Sequence, residues 1–273
     1  MSKTICASIF KLTVFVVVVA SLAVGLITGW ASAQQSTLER IRATGVMRVG
    51  LEGTYPPFNF VDENNQMAGF DVDISNEIAR RLGVRAEFVG TLWSSLIAGL
   101  QTDKFDVIIA QMTITEERKQ SVDFTNPYVI TGAVLVSRAN DNRFSKLSDI
   151  AGHRVGVGIG TTFEEVARSV PGADVRTYDS FQEYAQELLT GRLDVIINDQ
   201  LSVAYAIKQH GLPLKITSDI VNEDVIGIAV KKGNEDFVEM LNHILADMVA
   251  DGTYQQIFQK WFDAEPALLK YMK

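Results

Sequence analysis

Phe105-Asp106-Val107-Ile108-Ile109-Ala110-Gln111-Met112-Thr113-Ile114-Thr115-Glu116-Glu117-Arg118 is the stretch that decides the fold. Asp106 to Ala110 is a short apolar run, the length of a strand buried on both faces. The residues after it turn polar. In an open α/β sheet, ligands bind beyond the carboxyl ends of the strands, so this polar segment is where a site is expected. Arg118 can reach back over the strand end, and its planar, permanently charged fork suits a carboxylate. Exposure and pairing with Glu116 or Glu117 is the alternative reading of the same spacing.

Working outward, β-rich runs alternate with segments at helical spacing, the pattern of mostly parallel sheets covered by helices. Ser36 and Glu39 form a capping-box pattern for a short helix through Ile41, followed by a strand from Val46 to Leu51. A helix from about Asp71 to Leu82, a strand from Ala86 to Val89 and a helix from Leu92 to Leu100 complete one βαβαβ lobe. A second series follows, with strands at Gly132 to Ser137, Val155 to Ile159, Asp174 to Tyr178 and Asp194 to Ile197, and helices at Thr162 to Ser169 and Phe181 to Leu189. After Asn222-Glu223-Asp224 come a strand from Val225 to Val230 and a helix carrying Phe237, Met240, Leu241, Ile244, Leu245 and Met248 on one face. Gly252 is placed to end it. Two lobes in series without a flexible linker leave a crevice between them.

The first residues read as a leader. Lys3 and Lys11 precede or open an apolar run from Leu12 to Ile27, and Ala31-Ser32-Ala33 offers a signal-peptidase pattern, so cleavage is expected after Ala33. A retained anchor is the competing reading of that run. Cys6 is the only cysteine, so the mature chain has no thiol and must be stabilised by its own core. Of 25 basic and 33 acidic residues in the whole chain, the leader holds two basic ones. The mature protein is therefore strongly acidic, which argues against nucleic acid as a partner.

Gly160-Thr161-Thr162 opens a helix, whose free amides and dipole favour an anion, although Thr162 with Glu165 is also an ordinary capping box. Asp199 follows Val195-Ile196-Ile197 and is either an N-cap or a carboxylate facing a cation. Tyr55, Phe58 and Trp93 sit beside turns, where they are core aromatics or flat walls for a ligand. There is no nucleophile elbow, HExxH or phosphate-binding loop, and His153, His210 and His243 are scattered. Nothing calls for a cofactor or a metal.

A family likeness is carried by Gly53-Thr54-Tyr55-Pro56-Pro57-Phe58, Gly69-Phe70-Asp71-Val72-Asp73, the Phe105 to Ile109 strand, the Met112 to Arg118 segment, Asp123-Phe124-Thr125-Asn126-Pro127-Tyr128, Gly191-Arg192-Leu193-Asp194, and Asp251-Gly252-Thr253-Tyr254 before Lys260-Trp261-Phe262. The chain resembles the periplasmic polar amino-acid-binding proteins of ATP-driven (ABC) importers, the family 3 solute-binding proteins. The resemblance implies an α/β, two-lobed periplasmic-binding-protein fold of type II, each lobe a mostly parallel sheet flanked by helices, with two hinge crossings. Lobe 1 would comprise 34–129 and 226–273, lobe 2 130–225, after a signal peptide at 1–33.

The resemblance further implies that Arg118 holds the α-carboxylate of an amino acid, helped by Thr113 and Thr162, and that Asp199 takes its α-ammonium. Thr161, Tyr55, Trp93, Gln111, Met112 and Glu52 complete the expected site. A zwitterion leaves water only if both of its charges find partners. Gln111, with Gly158 to Thr161 and Val175 to Asp179, looks like the cystine-binding branch. Glutamine is the other neutral candidate, while Glu52, if it faces the crevice, would favour a basic amino acid. The expected partners are this ligand and a membrane permease, the expected compartment the periplasm, and the expected state a monomer. An enzyme resembling cyclohexadienyl dehydratase on the same scaffold is the alternative, and it would need a general acid that nothing here singles out. A sensor lobe, the third class, would be expected to continue into a membrane-spanning run, and no such run follows the second lobe up to Lys273.

Overall fold

The computed structural model describes residues 36–262 and 264–271. The leader expected at 1–33, its cleavage point and Cys6 lie outside these residues. The chain opens with α1 (Thr37–Thr44) and β1 (Val46–Leu51), then a small antiparallel sheet of β2 (Thr54–Tyr55), β3 (Asn59–Val61) and β4 (Met67–Ala68). Next come α2 (Phe70–Leu82), β5 (Arg85–Gly90), α3 (Leu96–Gln101), β6 (Val107–Ile108) and the long β7 (Val122–Arg138). The middle of the chain gives β8 (Arg154–Gly158), α4 (Thr162–Arg168), β9 (Asp174–Tyr178), α5 (Phe181–Leu189), β10 (Val195–Asp199) and α6 (Gln200–His210). It ends with β11 (Leu214–Ile216), β12 (Asn222–Lys231), α7 (Glu235–Ala250), α8 (Thr253–Trp261) and α9 (Leu268–Tyr271).

Local chemistry sets the boundaries. Ser180 and Asp199 accept backbone N–H groups at the starts of α5 and α6, satisfying donors that a helix start otherwise leaves free. Gly83 ends α2 in the left-handed region (φ 74°), where a side chain would be strained. On α7, Phe237, Leu241, Ile244, Leu245 and Met248 are buried, the stripe expected from their spacing.

The main sheet runs β5-β1-β6-β12-β7-β10-β8-β9. β1 is parallel to β5 and β6, and β8 is parallel to β9 and β10. The antiparallel pair β7 and β12 joins the two parallel sets. Buried side chains divide the same way. Val129, Ile130 and Ile226 pack with Val49, Phe70 and Phe237, while Ala133 to Val136 pack with Val155, Leu188, Ile196 and Ile197. The molecule is two α/β lobes, and two extended strands cross between them.

Those crossings depart from the sequence reading. The strand expected at Gly132 to Ser137 is the far half of a 17-residue strand that begins at Val122. Pro127, Asn126 and Thr131 interrupt the apolar pattern, but β12 pairs with Thr131 and Pro127 and passes over Asn126 through register shifts around Gly227, so the ladder continues past the proline. The helix expected from Leu92 is a 3₁₀ turn (Trp93–Ser95) before α3.

Candidate functional site

Between the lobes lies a cleft of about 640 Å³, formed where β1, β6, β8, β9 and β10 end. Each strand delivers residues to it: Glu52 after β1, Gln111 and Thr113 after β6, Gly158, Ile159, Thr161 and Thr162 at and beyond the end of β8, Asp179 and Ser180 after β9, and Asn198 and Asp199 at the end of β10. The crossing strands β7 and β12 add Thr131 and Asp224, and the small sheet adds Tyr55.

Arg118 starts a 3₁₀ turn (Arg118–Gln120), and its guanidinium folds back over the end of β6. Nη1 donates to the Thr113 carbonyl at 2.9 Å, and Nη2 donates across the cleft to the Gly160 carbonyl at 3.1 Å. Trp93 Nε1 donates to that same carbonyl at 3.1 Å, and Arg118 Cζ lies 5.2 Å from the Trp93 ring centroid, a cation–π distance. Burial lowers the Arg118 pKa, against the pull of Glu165 and Asp224. The group remains a cation, because arginine does not lose its proton in proteins.

Asp199 faces it from the other lobe. Oδ1 accepts the N–H groups of Leu201 (2.8 Å) and Ser202 (3.0 Å), and Oδ2 accepts the Thr131 hydroxyl at 2.6 Å. It is therefore both the N-cap of α6 and a wall of the cleft. Burial pushes its pKa up to about 6, with its hydrogen bonds opposing the rise. Asn198 beside it accepts the Tyr55 hydroxyl at 2.7 Å, a further contact between lobes. Ser202 Oγ donates to the Pro56 carbonyl at 2.9 Å, another.

The first-lobe wall is acidic but differently charged. Asp71 is wholly buried and accepts from Asn59 Nδ2 (2.9 Å), Gln111 Nε2 (2.7 Å) and the Tyr128 hydroxyl (2.9 Å). Burial carries its pKa to about 7 despite these bonds, and burial with the nearby Asp71 charge carries Glu52 to about 8. Glu52 is consequently neutral at pH 7, while Asp199 is ionised. Gln111 is held at φ 58°, a backbone conformation uncommon outside glycine.

Residues 47–264 match the model of the bacterial extracellular solute-binding proteins, family 3. The chain belongs to that family. It is 39% identical to the L-cystine-binding protein TcyJ of Escherichia coli (strain K12), over 89% of this chain and 94% of that protein. A mutant of ArgBP from T. maritima superposes with a TM-score of 0.80 at 39% identity, covering 84% of this chain and all (100%) of that one. An ancestral arginine-binding protein bound to arginine gives a TM-score of 0.77 at 41% identity, covering 80% of this chain and 98% of that one.

Of the residues singled out from sequence, this family 3 protein brings Glu52, Tyr55, Trp93, Gln111, Thr113, Arg118, Thr161, Thr162 and Asp199 to the cleft. Met112 is not with them. Its side chain is buried among Leu96, Leu100 and Phe105, and its carbonyl accepts the Gly227 N–H at 3.1 Å. Thr161 lines the cleft while capping α4, accepting the Glu164 N–H.

Sequence reasoning passed over Thr131, Ser180, Phe181, Tyr184 and Asp224, which also line the cleft. Ser180 followed by Glu183 was a readable capping pattern, but nothing in the pattern of β12 marked Asp224. Among the described residues, three buried side-chain atoms of this cleft have no hydrogen-bond partner: Gln111 Oε1, Asn198 Nδ2 and Asp224 Oδ2. Buried polar atoms are rarely left so. Among the described residues, no cluster of His, Cys, Asp or Glu is placed to hold a metal ion, and no helix is long and apolar enough to cross a membrane.

Proposed function

We propose that the protein closes its two lobes around a polar, zwitterionic amino acid and hands it unaltered to the permease of an ABC importer. The observation that carries this reading is that Arg118 and Asp199, of opposite sign and from opposite lobes, share one cleft. Arg118 takes the α-carboxylate, helped by the Thr113 and Thr162 segments, and Asp199 takes the α-ammonium. Only the closed arrangement lets one ligand touch both, and such differential contact is what shifts an open–closed equilibrium. Lobe 1 is then 34–129 with 226–273, lobe 2 is 130–225, and the hinges lie on β7 and β12. The chain is a monomer, exported to the periplasm by a leader cleaved after Ala33. It is not an enzyme, because delivery requires no chemistry and Asp199 is explained as an ammonium partner.

Tyr55 and Trp93 supply flat walls, and Gln111 and Glu52 meet the far end of the ligand. A neutral Glu52 at pH 7 suits a far end of no net charge, such as the zwitterionic second half of L-cystine, better than a guanidinium, which supports L-cystine ahead of L-arginine, and TcyJ points the same way. Thermal unfolding against the twenty amino acids, cystine and ring dicarboxylates tests this. A ligand at about 100 times its Kd adds about 2.7 kcal/mol of stability. A midpoint rise with cystine that Arg118→Ala abolishes is the expected result. A rise with a ring dicarboxylate alone would overturn the reading in favour of a dehydratase.

A further inference from the structure

Asp224 sits on the crossing strand β12, 1% exposed, opposite Thr131 of β7. Two residues further along β7, Ala133 is opposite Asp199 of β10. The two aspartates therefore flank the same short stretch of β7 from its two sides, and Thr131 donates its hydroxyl to one of them. Asp224 Oδ1 accepts the Thr113 hydroxyl at 3.2 Å and the Thr162 hydroxyl at 3.1 Å, with Asn222 Nδ2 at 3.3 Å. Oδ2 is buried and has no partner among the described residues.

Two consequences follow from counting protons. A hydroxyl has one hydrogen and two lone pairs. Thr113 and Thr162 give their hydrogens to Asp224, so towards the cleft they offer lone pairs, which receive an N–H and repel a carboxylate. Asp224 Oδ2 is itself an acceptor without a donor, in a place where an unmet acceptor is costly. Asp199, by contrast, already accepts three bonds. The acceptors thus line the same cleft as Arg118 and Asp199, and a group carrying several N–H donors is what completes them.

Resting on the zwitterion reading above, we propose that Asp224 is a second acceptor for the ligand's α-ammonium and that it sets the Thr113 and Thr162 hydroxyls as acceptors for the same group. The carboxylate is then held by Arg118 and backbone N–H groups, without the two hydroxyls. Burial raises the Asp224 pKa, with the two threonine bonds and Arg118 opposing, as for an acid awaiting a cationic partner.

The test measures Kd of the purified protein and of Asp224→Asn for L-cystine and L-arginine, and by competition for their desamino analogues 3,3′-dithiodipropionate and 5-guanidinopentanoate. Loss of a bond to a charged group predicts about ten- to a hundredfold weaker binding of the amino acid. The desamino analogue is expected to bind both proteins equally, so discrimination between the pair shrinks by the same factor. Equal losses on both compounds would make Asp224 a structural strand residue and overturn the proposal. So would unchanged or tighter amino-acid binding by the variant. If the unsubstituted protein bound none of these compounds, the zwitterion reading itself would fail, which is a different result. Thermal unfolding of Asp224→Asn alone establishes that it is folded.

Discussion

The two lobes are built on the same device. In the first, Arg48-Val49-Gly50 lies beside Phe105-Asp106-Val107-Ile108-Ile109, and in the second Arg154-Val155-Gly156 lies beside Leu193-Asp194-Val195-Ile196-Ile197. In both, the aspartate N–H donates to the arginine carbonyl at 2.9 Å, and its carboxylate accepts the arginine's own N–H, at 2.9 Å for Asp106 and 3.1 Å for Asp194. Both arginine side chains then grip the carboxylate. In both, the glycine leaves room for the residue before the aspartate: a Cβ on Gly50 would meet the Phe105 ring at 2.4 Å, and one on Gly156 would meet Leu193 at 2.3 Å. At the carboxyl ends the likeness stops. The first lobe continues into Gln111 at positive φ and sets a protonated Glu52 on its wall, the second continues into Asn198 and an ionised N-cap, Asp199. The supports are duplicated, and the site is made where the copies differ.

The supports differ in burial, and this ranks the predictions. The Asp106 side chain is fully buried and also bonded to Arg40 at 2.7 Å, whereas Asp194 retains 15% exposure. Asp106→Ala leaves two arginines without a buried partner and is expected to cost about 3–5 kcal/mol. Asp194→Ala is expected to cost about 1–2 kcal/mol, since solvent screens what remains. Denaturant unfolding of the two variants checks this, and equal costs would break the comparison.

Next in size are the glycines. Gly50→Ala and Gly156→Ala each force a contact far inside van der Waals range, at about 1–3 kcal/mol. Gly50→Ala is expected to cost more. The Phe105 ring is trapped, because a Cβ on Gly99 would meet it from another side at 2.7 Å, while Leu193 has other rotamers to try. Midpoint denaturant concentrations at constant slope would read the order, and a reversed order would show that Phe105 has room to move.

This division also explains what was legible in the sequence. Strand ends could be read, because an apolar run that turns polar at its carboxyl end announces both the strand and the site: Arg118, Asp199, Gln111 and Thr162 were found that way. Met112 was carried along by its neighbours, although alternation puts its side chain on the core side. Asp224 and Thr131 escaped because they lie inside long crossing strands, where cleft and core are met by neighbouring residues and no turn marks the place. Their meaning depends on which strand lies opposite, and pairing across 90 residues of chain has no local signal.

The difference between the two site acids can be tested through pH. Glu52 is raised from 4.5 to about 8 and Asp199 from 3.8 to about 6, both chiefly by burial. For a carboxyl whose folded pKa lies above its unfolded one, the unfolded chain releases its proton first. Stability is then full below the unfolded value and is lost as pH rises, until the folded group also ionises. Glu52→Gln cannot ionise, so its advantage over the parent should be nil near pH 4, grow from about pH 4.5, and level off above pH 8. The height of the plateau reads the shift directly, at about 1.4 kcal/mol for each unit by which the folded pKa exceeds the unfolded one. Asp199 imposes the same kind of slope on both proteins, whereas Asp71 is coupled to Glu52 by charge, so the difference between them reads Glu52 together with that coupling. A gap that levels off near pH 6 would mean that Glu52 is ionised at neutral pH like Asp199, and the first-lobe wall would then suit a cationic side chain after all.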